Sequence, residues 1–137
     1  MTPLLLDTCA AIWLAEDEPI AAAAAEALDA AARSGTSVFV SAMTAWEIGL
    51  LVAKQKIVLS MSPEAWFRCL LGVPGVALAA ITVEALIASS FLPGTPPRDP
   101  ADRIIAATAR ACGYRLVTRD RQLLAYAEQG HLAALAC

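Results

Sequence analysis

Apolar residues along this chain fall into short unbroken runs separated by longer stretches of helical period. Leu4-Leu5-Leu6 ends at Asp7, and a run apolar on both sides is what a fully buried parallel strand requires. Thr8 to Leu14 is compatible with a helix. A second helix is expected from about Pro19 to Arg33, where the alanines between Ala21 and Ala25 are strong helix formers. Ser34-Gly35 breaks that pattern, and Ser37-Val38-Phe39-Val40-Ser41 reads as a second buried strand. Thr44 to Lys54 returns to helical spacing, with apolar Trp46, Ile48, Leu50, Leu51 and Val52 and with Glu47 in the first turn or so.

Ser62 is a natural N-cap for a helix from Pro63 to Gly72, and Val76 to Ile81 forms a weaker third strand. Thr82 caps a helix beginning at Val83. The segment from Phe91 to Arg98, with three prolines and Gly94, is the clearest loop, and it feeds a helix start. There Asp99 suits the N-cap, Pro100 the first position and Asp102 the third, where a carboxylate meets the positive end of the helix dipole. That helix should stop at Gly113. Tyr114 to Thr118 is a fourth strand leading to Asp120 and a helix through Tyr126, and Leu132 to Leu135 is a tail.

Strand and helix therefore alternate without a linker or internal repeat. The pattern predicts a single α/β domain over residues 1–137, with a mostly parallel sheet of four to five strands, helices on both faces and right-handed crossovers.

Composition changes this picture little. The chain is 58% hydrophobic, but much of that is alanine, and 137 residues can bury a sizeable core without a membrane. The stretch from Cys69 to Val83 lacks charge but falls short of the roughly 20 apolar residues a spanning helix needs. The first apolar run has no basic residue before it and is interrupted by Asp7, unlike a secretory signal, so a cytoplasmic protein is expected. Cys9, Cys69, Cys112 and Cys137 form no C-x-x-C pair and read as core thiols; with one histidine, His131, zinc-finger and redox motifs are excluded. The net charge of -3 argues against nonspecific coating of nucleic acid, although six of ten basic residues lie between Arg98 and Arg121.

The candidate chemistry lies in four acids at strand ends and helix starts: Asp7, Glu47, Asp102 and Asp120. In a parallel sheet they converge at one edge, where ligands of open α/β folds bind. Carboxylates this close repel one another unless a cation shares them, and an oxygen-only donor set favours Mg²⁺ or Mn²⁺ over zinc. Such a site suits phosphodiester hydrolysis by an activated water. Asp99 is a cap first and a ligand second. Arg103 and Arg119 are candidates for phosphate or for surface ion pairs. Trp13, Trp46 and Trp66 read as core, and Ser41 and Thr44 as helix caps.

Four segments in order, Leu4 to Thr8, Val40 to Ile48, Asp99 to Ala109 and Leu116 to Asp120, resemble the PIN-domain ribonucleases, and within them the VapC-type toxins of bacterial toxin-antitoxin pairs. The resemblance implies a PIN-like three-layer α/β/α fold and a Mg²⁺- or Mn²⁺-dependent endoribonuclease. Asp7, Glu47 and Asp102 would form its acidic core and Asp120 its fourth member. It also implies a homodimer, an RNA substrate, and a small antitoxin that covers the acidic site. On this reading Asp7 and Asp102 hold the metal, Glu47 orients or deprotonates the water, and Asp120 completes the shell or receives a second ion; as metal ligands Glu47, Asp120 and Asp99 are second in rank. The rival readings are a PIN-like nuclease of RNA maturation and a receiver-type regulatory domain. A receiver should have paired early acids and a late lysine where Thr118-Arg119-Asp120 stands.

Overall fold

Three successive leucines make β1 (Leu4–Leu6), all buried, and β1 is the central strand of the sheet. The structure is a computed structural model and describes residues 2–137. Around β1 the order is β3 (Val76–Ala79), β2 (Val38–Ser41), β1, β4 (Arg115–Thr118), β5 (Ala134–Ala136), and every pairing is parallel. The chain steps outward from β1 to β2 to β3, then crosses back beyond β1 to β4. Strand order thus reverses between β1 and β4, which makes their carboxyl ends the place for a ligand.

Register keeps those ends level. Leu6 stands opposite both Val40 and Val117, so Asp7, Ser41 and Thr118 emerge side by side. Alternation divides the core into two layers. Leu4, Leu6, Val38, Val40 and Val117 pack against α1 (Thr8–Ala15), α2 (Ala22–Ser34), α3 (Ala42–Ala53) and α4 (Pro63–Leu71). Leu5 and Leu116 face the other way, against Ile105, Ala106 and Ala109 of α6 (Pro100–Cys112) and Leu123 and Tyr126 of α7 (Arg121–Glu128). Helix α5 (Val83–Ala88) packs on α6, completing a three-layer α/β/α architecture.

Most helix starts are fixed by side-chain caps: Asp7 for α1, Ser41 for α3, Ser62 for α4, Thr82 for α5, Asp99 for α6 and Asp120 for α7. Gly113 ends α6 in the left-handed conformation, at φ 70.

Several expectations need correction. Ser41 is the cap that starts α3, so the helix begins at Ala42 and Glu47 lies in its second turn. Thr44 is instead fully buried inside that helix. Helix α2 begins later than Pro19, at Ala22, and has no side-chain cap. Strand β3 stops at Ala79, and the supposed tail contains β5, an Ala-Leu-Ala strand at the far edge. Trp66 is core, but Trp46 is 58% exposed. Three cysteines, Cys9, Cys69 and Cys112, face solvent, and Cys137 alone among the four is buried. No helix among the described residues is long and apolar enough to cross a membrane.

Candidate active site

At the carboxyl end of β1, Asp7 is 5% exposed and spends both carboxylate oxygens on the fold. Oδ1 caps α1 by accepting from the Ala10 N–H at 2.8 Å, and Oδ2 accepts from the Thr118 hydroxyl at 2.5 Å. The Thr118 oxygen in turn accepts the Asp120 N–H at 3.0 Å. One hydroxyl at the end of β4 therefore joins two of the four acids. Asp120 itself caps α7, its Oδ1 accepting from the Leu123 N–H at 2.9 Å.

A second hydroxyl chain holds Glu47. Thr8 donates to Glu47 Oε1 at 2.6 Å, and the Thr44 hydroxyl lies 3.1 Å from the Thr8 oxygen. Because the single Thr8 hydrogen goes to the carboxylate, Thr44 is the donor of that second bond. Thr8 and Thr44 are both buried, so Glu47 Oε1 is anchored from inside the fold.

Asp99 and Asp102 arrive together at the start of α6. Asp99 Oδ2 accepts the Asp102 N–H at 3.0 Å, which confirms its cap role. The Asp102 carboxylate gains no comparable donor. Burial, followed by repulsion from Asp99, Asp120, Glu47 and Asp7, pushes its pKa from 3.8 up to about 7. Burial also raises Asp7, against the opposing pull of Thr118 and Ala10 and with a contribution from the Asp120 charge. Glu47 is raised by burial, held back by Thr8, and raised further by Asp99 and Asp7.

Cys9, at the second position of α1, lies near the same acids. Although the residue as a whole is exposed, partial desolvation of its thiol and then the charges of Asp7, Glu47, Asp102 and Asp120 push it up to about 11. All four predicted acids thus act on one point. A thiol so placed stays protonated at neutral pH and is no nucleophile.

Among the described residues, no group of three or more acid, thiol or imidazole side chains stands as a ready cage for an ion. The donor chemistry nevertheless fits a hard, hydrated cation: carboxylate and hydroxyl oxygens, a protonated thiol and no imidazole. Mg²⁺ keeps several waters and needs only one or two carboxylates, so a looser cluster suits it better than a closed cage would.

The arginines take other roles. Arg103 donates to the Ser89 carbonyl at 2.9 Å and to that of Pro97 at 3.2 Å, bracing the loop before α6. Arg119 donates to the Cys137 carbonyl at 2.9 Å and stacks 3.6 Å over the Trp13 ring. Neither makes the surface ion pair that was the alternative to phosphate binding. The residues that sequence reasoning undervalued are Thr8, Thr44 and Thr118. Each stands one to three positions from an acid, which was the available signal.

A family model described as the PIN domain matches residues 4–129. The chain is 36% identical over 124 residues to "Ribonuclease VapC22" of Mycobacterium tuberculosis, covering 90% of this chain and 91% of that protein. Its fold matches that of VapBC2 from Rickettsia felis, solved with a DNA fragment from its promoter, at a TM-score of 0.72 and 14% identity, over 99% of both chains. DNA-bound VapBC from Salmonella typhimurium follows at 0.66 and 20%, covering 99% of this chain and 98% of that one. FitAcB from Neisseria gonorrhoeae matches at 0.59 and 23%, over 96% of each chain.

Proposed function

This chain belongs to the PIN-domain family as a VapC-type member, and from that premise we propose that it is a metal-dependent endoribonuclease, the toxin of a toxin-antitoxin pair. The observation that carries the activity is the gathering of Asp7, Glu47, Asp102 and Asp120 at the strand-order reversal, with Asp102 pushed up to about 7 by burial and then by its acidic neighbours.

Asp7 and Asp102 are the residues to hold Mg²⁺ or Mn²⁺, with Asp120 and, second in rank, Asp99 beside them. When bound, the ion supplies Lewis-acid polarisation of the phosphate and a water acidic enough to attack at neutral pH. Glu47, held at Oε1 by Thr8, would orient the attacking water and accept a proton on its other carboxylate oxygen. Thr118 keeps Asp7 facing the cluster and ionisable in spite of its burial. Asp120 shares the Thr118 hydroxyl and brings the β4 side of the site to the same point.

Two of the solved structures that the fold matches are VapBC complexes, which supports a small antitoxin as the partner here, acting by covering the acidic cluster. Val83 and Ile87, four residues apart on α5, and Phe91 just beyond it are exposed apolar side chains that a homodimer contact would cover. The ribonuclease relative supports RNA as the substrate, and a cytoplasmic setting accords with that reading.

The test is cleavage of total RNA and of tRNA by the purified protein with Mg²⁺, Mn²⁺ or EDTA, wild type beside Asp7→Asn. Metal-dependent cuts absent from the variant are expected; no cuts, or cuts the variant retains, refute the nuclease. A small co-purifying inhibitor marks the toxin, and its absence from the native source favours a PIN-like nuclease of RNA maturation.

A further inference from the structure

We infer that α7 is a splint that sets the position of Asp102, through three side chains that grip the loop leading into α6. The inference rests on the nuclease reading of the site.

Gln122, Tyr126 and Gln129 are spaced four and three residues apart, so they form one stripe along α7 and its C-cap. Each reaches the backbone of the 91–98 loop. Gln122 Oε1 accepts the Arg98 N–H at 3.3 Å, the Tyr126 hydroxyl donates to the Pro93 carbonyl at 2.6 Å, and Gln129 Oε1 accepts the Thr95 N–H at 3.0 Å. The loop therefore runs back along α7 toward the helix start. Its last gripped residue, Arg98, directly precedes Asp99, and the Gln122 that grips it stands two residues after Asp120.

The approach is close enough to constrain the sequence. A Cβ on Gly94 would lie 2.5 Å from His131 and 2.7 Å from the Gln129 amide oxygen, and Gly94 has φ +68. Tyr126 is fully buried, so its ring anchors α7 in the core while its hydroxyl holds the loop. α7 thus links the acid that caps it to the two acids that begin α6, across chain segments that share no strand pairing. The three are positioning residues and need not touch the substrate.

Gln122→Ala, Gln129→Ala and Tyr126→Phe, alone and combined, separate positioning from plain stability. Three quantities are read: thermal midpoint, Mn²⁺ affinity by electron paramagnetic resonance, and RNA cleavage. The expected result is weaker Mn²⁺ binding and slower cleavage, each by roughly tenfold in the combined variant, within the range found when groups supporting metal ligands are removed. Partial recovery in Gln122→Glu, which keeps the acceptor, is also expected. A combined variant that melts lower but binds Mn²⁺ and cleaves RNA as wild type does would overturn the splint and leave the nuclease intact. Wild-type protein that neither binds Mn²⁺ nor cleaves RNA would overturn both.

Discussion

The two sides of the acidic cluster are built on opposite principles. On the β1 and α3 side, Asp7 and Glu47 are each met by a hydroxyl, Thr118 for one and Thr8 for the other, and Asp7 also by a backbone N–H. On the α6 side, Asp102 faces four negative neighbours and no donor relieves it. Burial raises all three carboxyls; hydrogen bonds to the charged form oppose that rise at Asp7 and Glu47, whereas at Asp102 nothing opposes burial and the repulsion of its neighbours. One side is therefore braced by donors of the fold, and the other depends on a positive charge for relief.

The contrast is broken most severely by removing chemistry from the braced side. Glu47→Gln keeps an acceptor for Thr8 but loses the base, so cleavage should fall by roughly 10²–10⁴ in steady-state assays. Thr118→Val keeps shape and burial while taking the donor from Asp7 and the acceptor from the Asp120 N–H. We expect a loss of about 1–3 kcal/mol in denaturant unfolding, together with a weakening of Mn²⁺ binding of roughly 10–100-fold.

On the unrelieved side the sign reverses. The folded pKa of Asp102, about 7, lies above its ordinary 3.8, so between those values the folded state keeps a proton that the unfolded state releases. Its contribution to the stability of the metal-free protein declines as pH rises from about 4 to 7 and stays at its low level above that. Asp102→Asn should remove this slope, melting roughly a few degrees higher than wild type at pH 8 in EDTA, since the group is partly solvent-screened. Near pH 4 the two should converge, and at every pH the variant should fail to cleave RNA. Smallest of all, Cys9→Ser should leave cleavage within about twofold of wild type, because a thiol raised to about 11 takes no ionic part.

Legibility in the sequence followed the same division. Continuous apolar runs fixed β1, β2 and β4 within a residue, and Ser62, Thr82 and the Asp99-Pro100 pair marked three helix starts without error, because those signals are local. Asp7 stood out as a candidate because a carboxylate after buried leucines is costly without a purpose. The threonines did not, since Thr8 and Thr118 look like ordinary helix and strand residues until the register sets them beside Asp7 and Glu47. β5 escaped because Ala-Leu-Ala carries little strand propensity and depends on β4 for its place. Trp46 and the exposed thiols escaped because residue type alone does not say which face of a helix meets the core. The α7 stripe escaped because nothing local to Gln122 or Gln129 points to the backbone of the 91–98 loop that they meet.

The most direct measurement is the ¹³C carboxyl titration of Asp102 by NMR, in EDTA and then with Mg²⁺. A midpoint of about 7 without metal that moves to lower pH with Mg²⁺ is the predicted result. A midpoint near 3.8 without metal, or one that Mg²⁺ does not move, would contradict the claim that these acids are arranged around a cation.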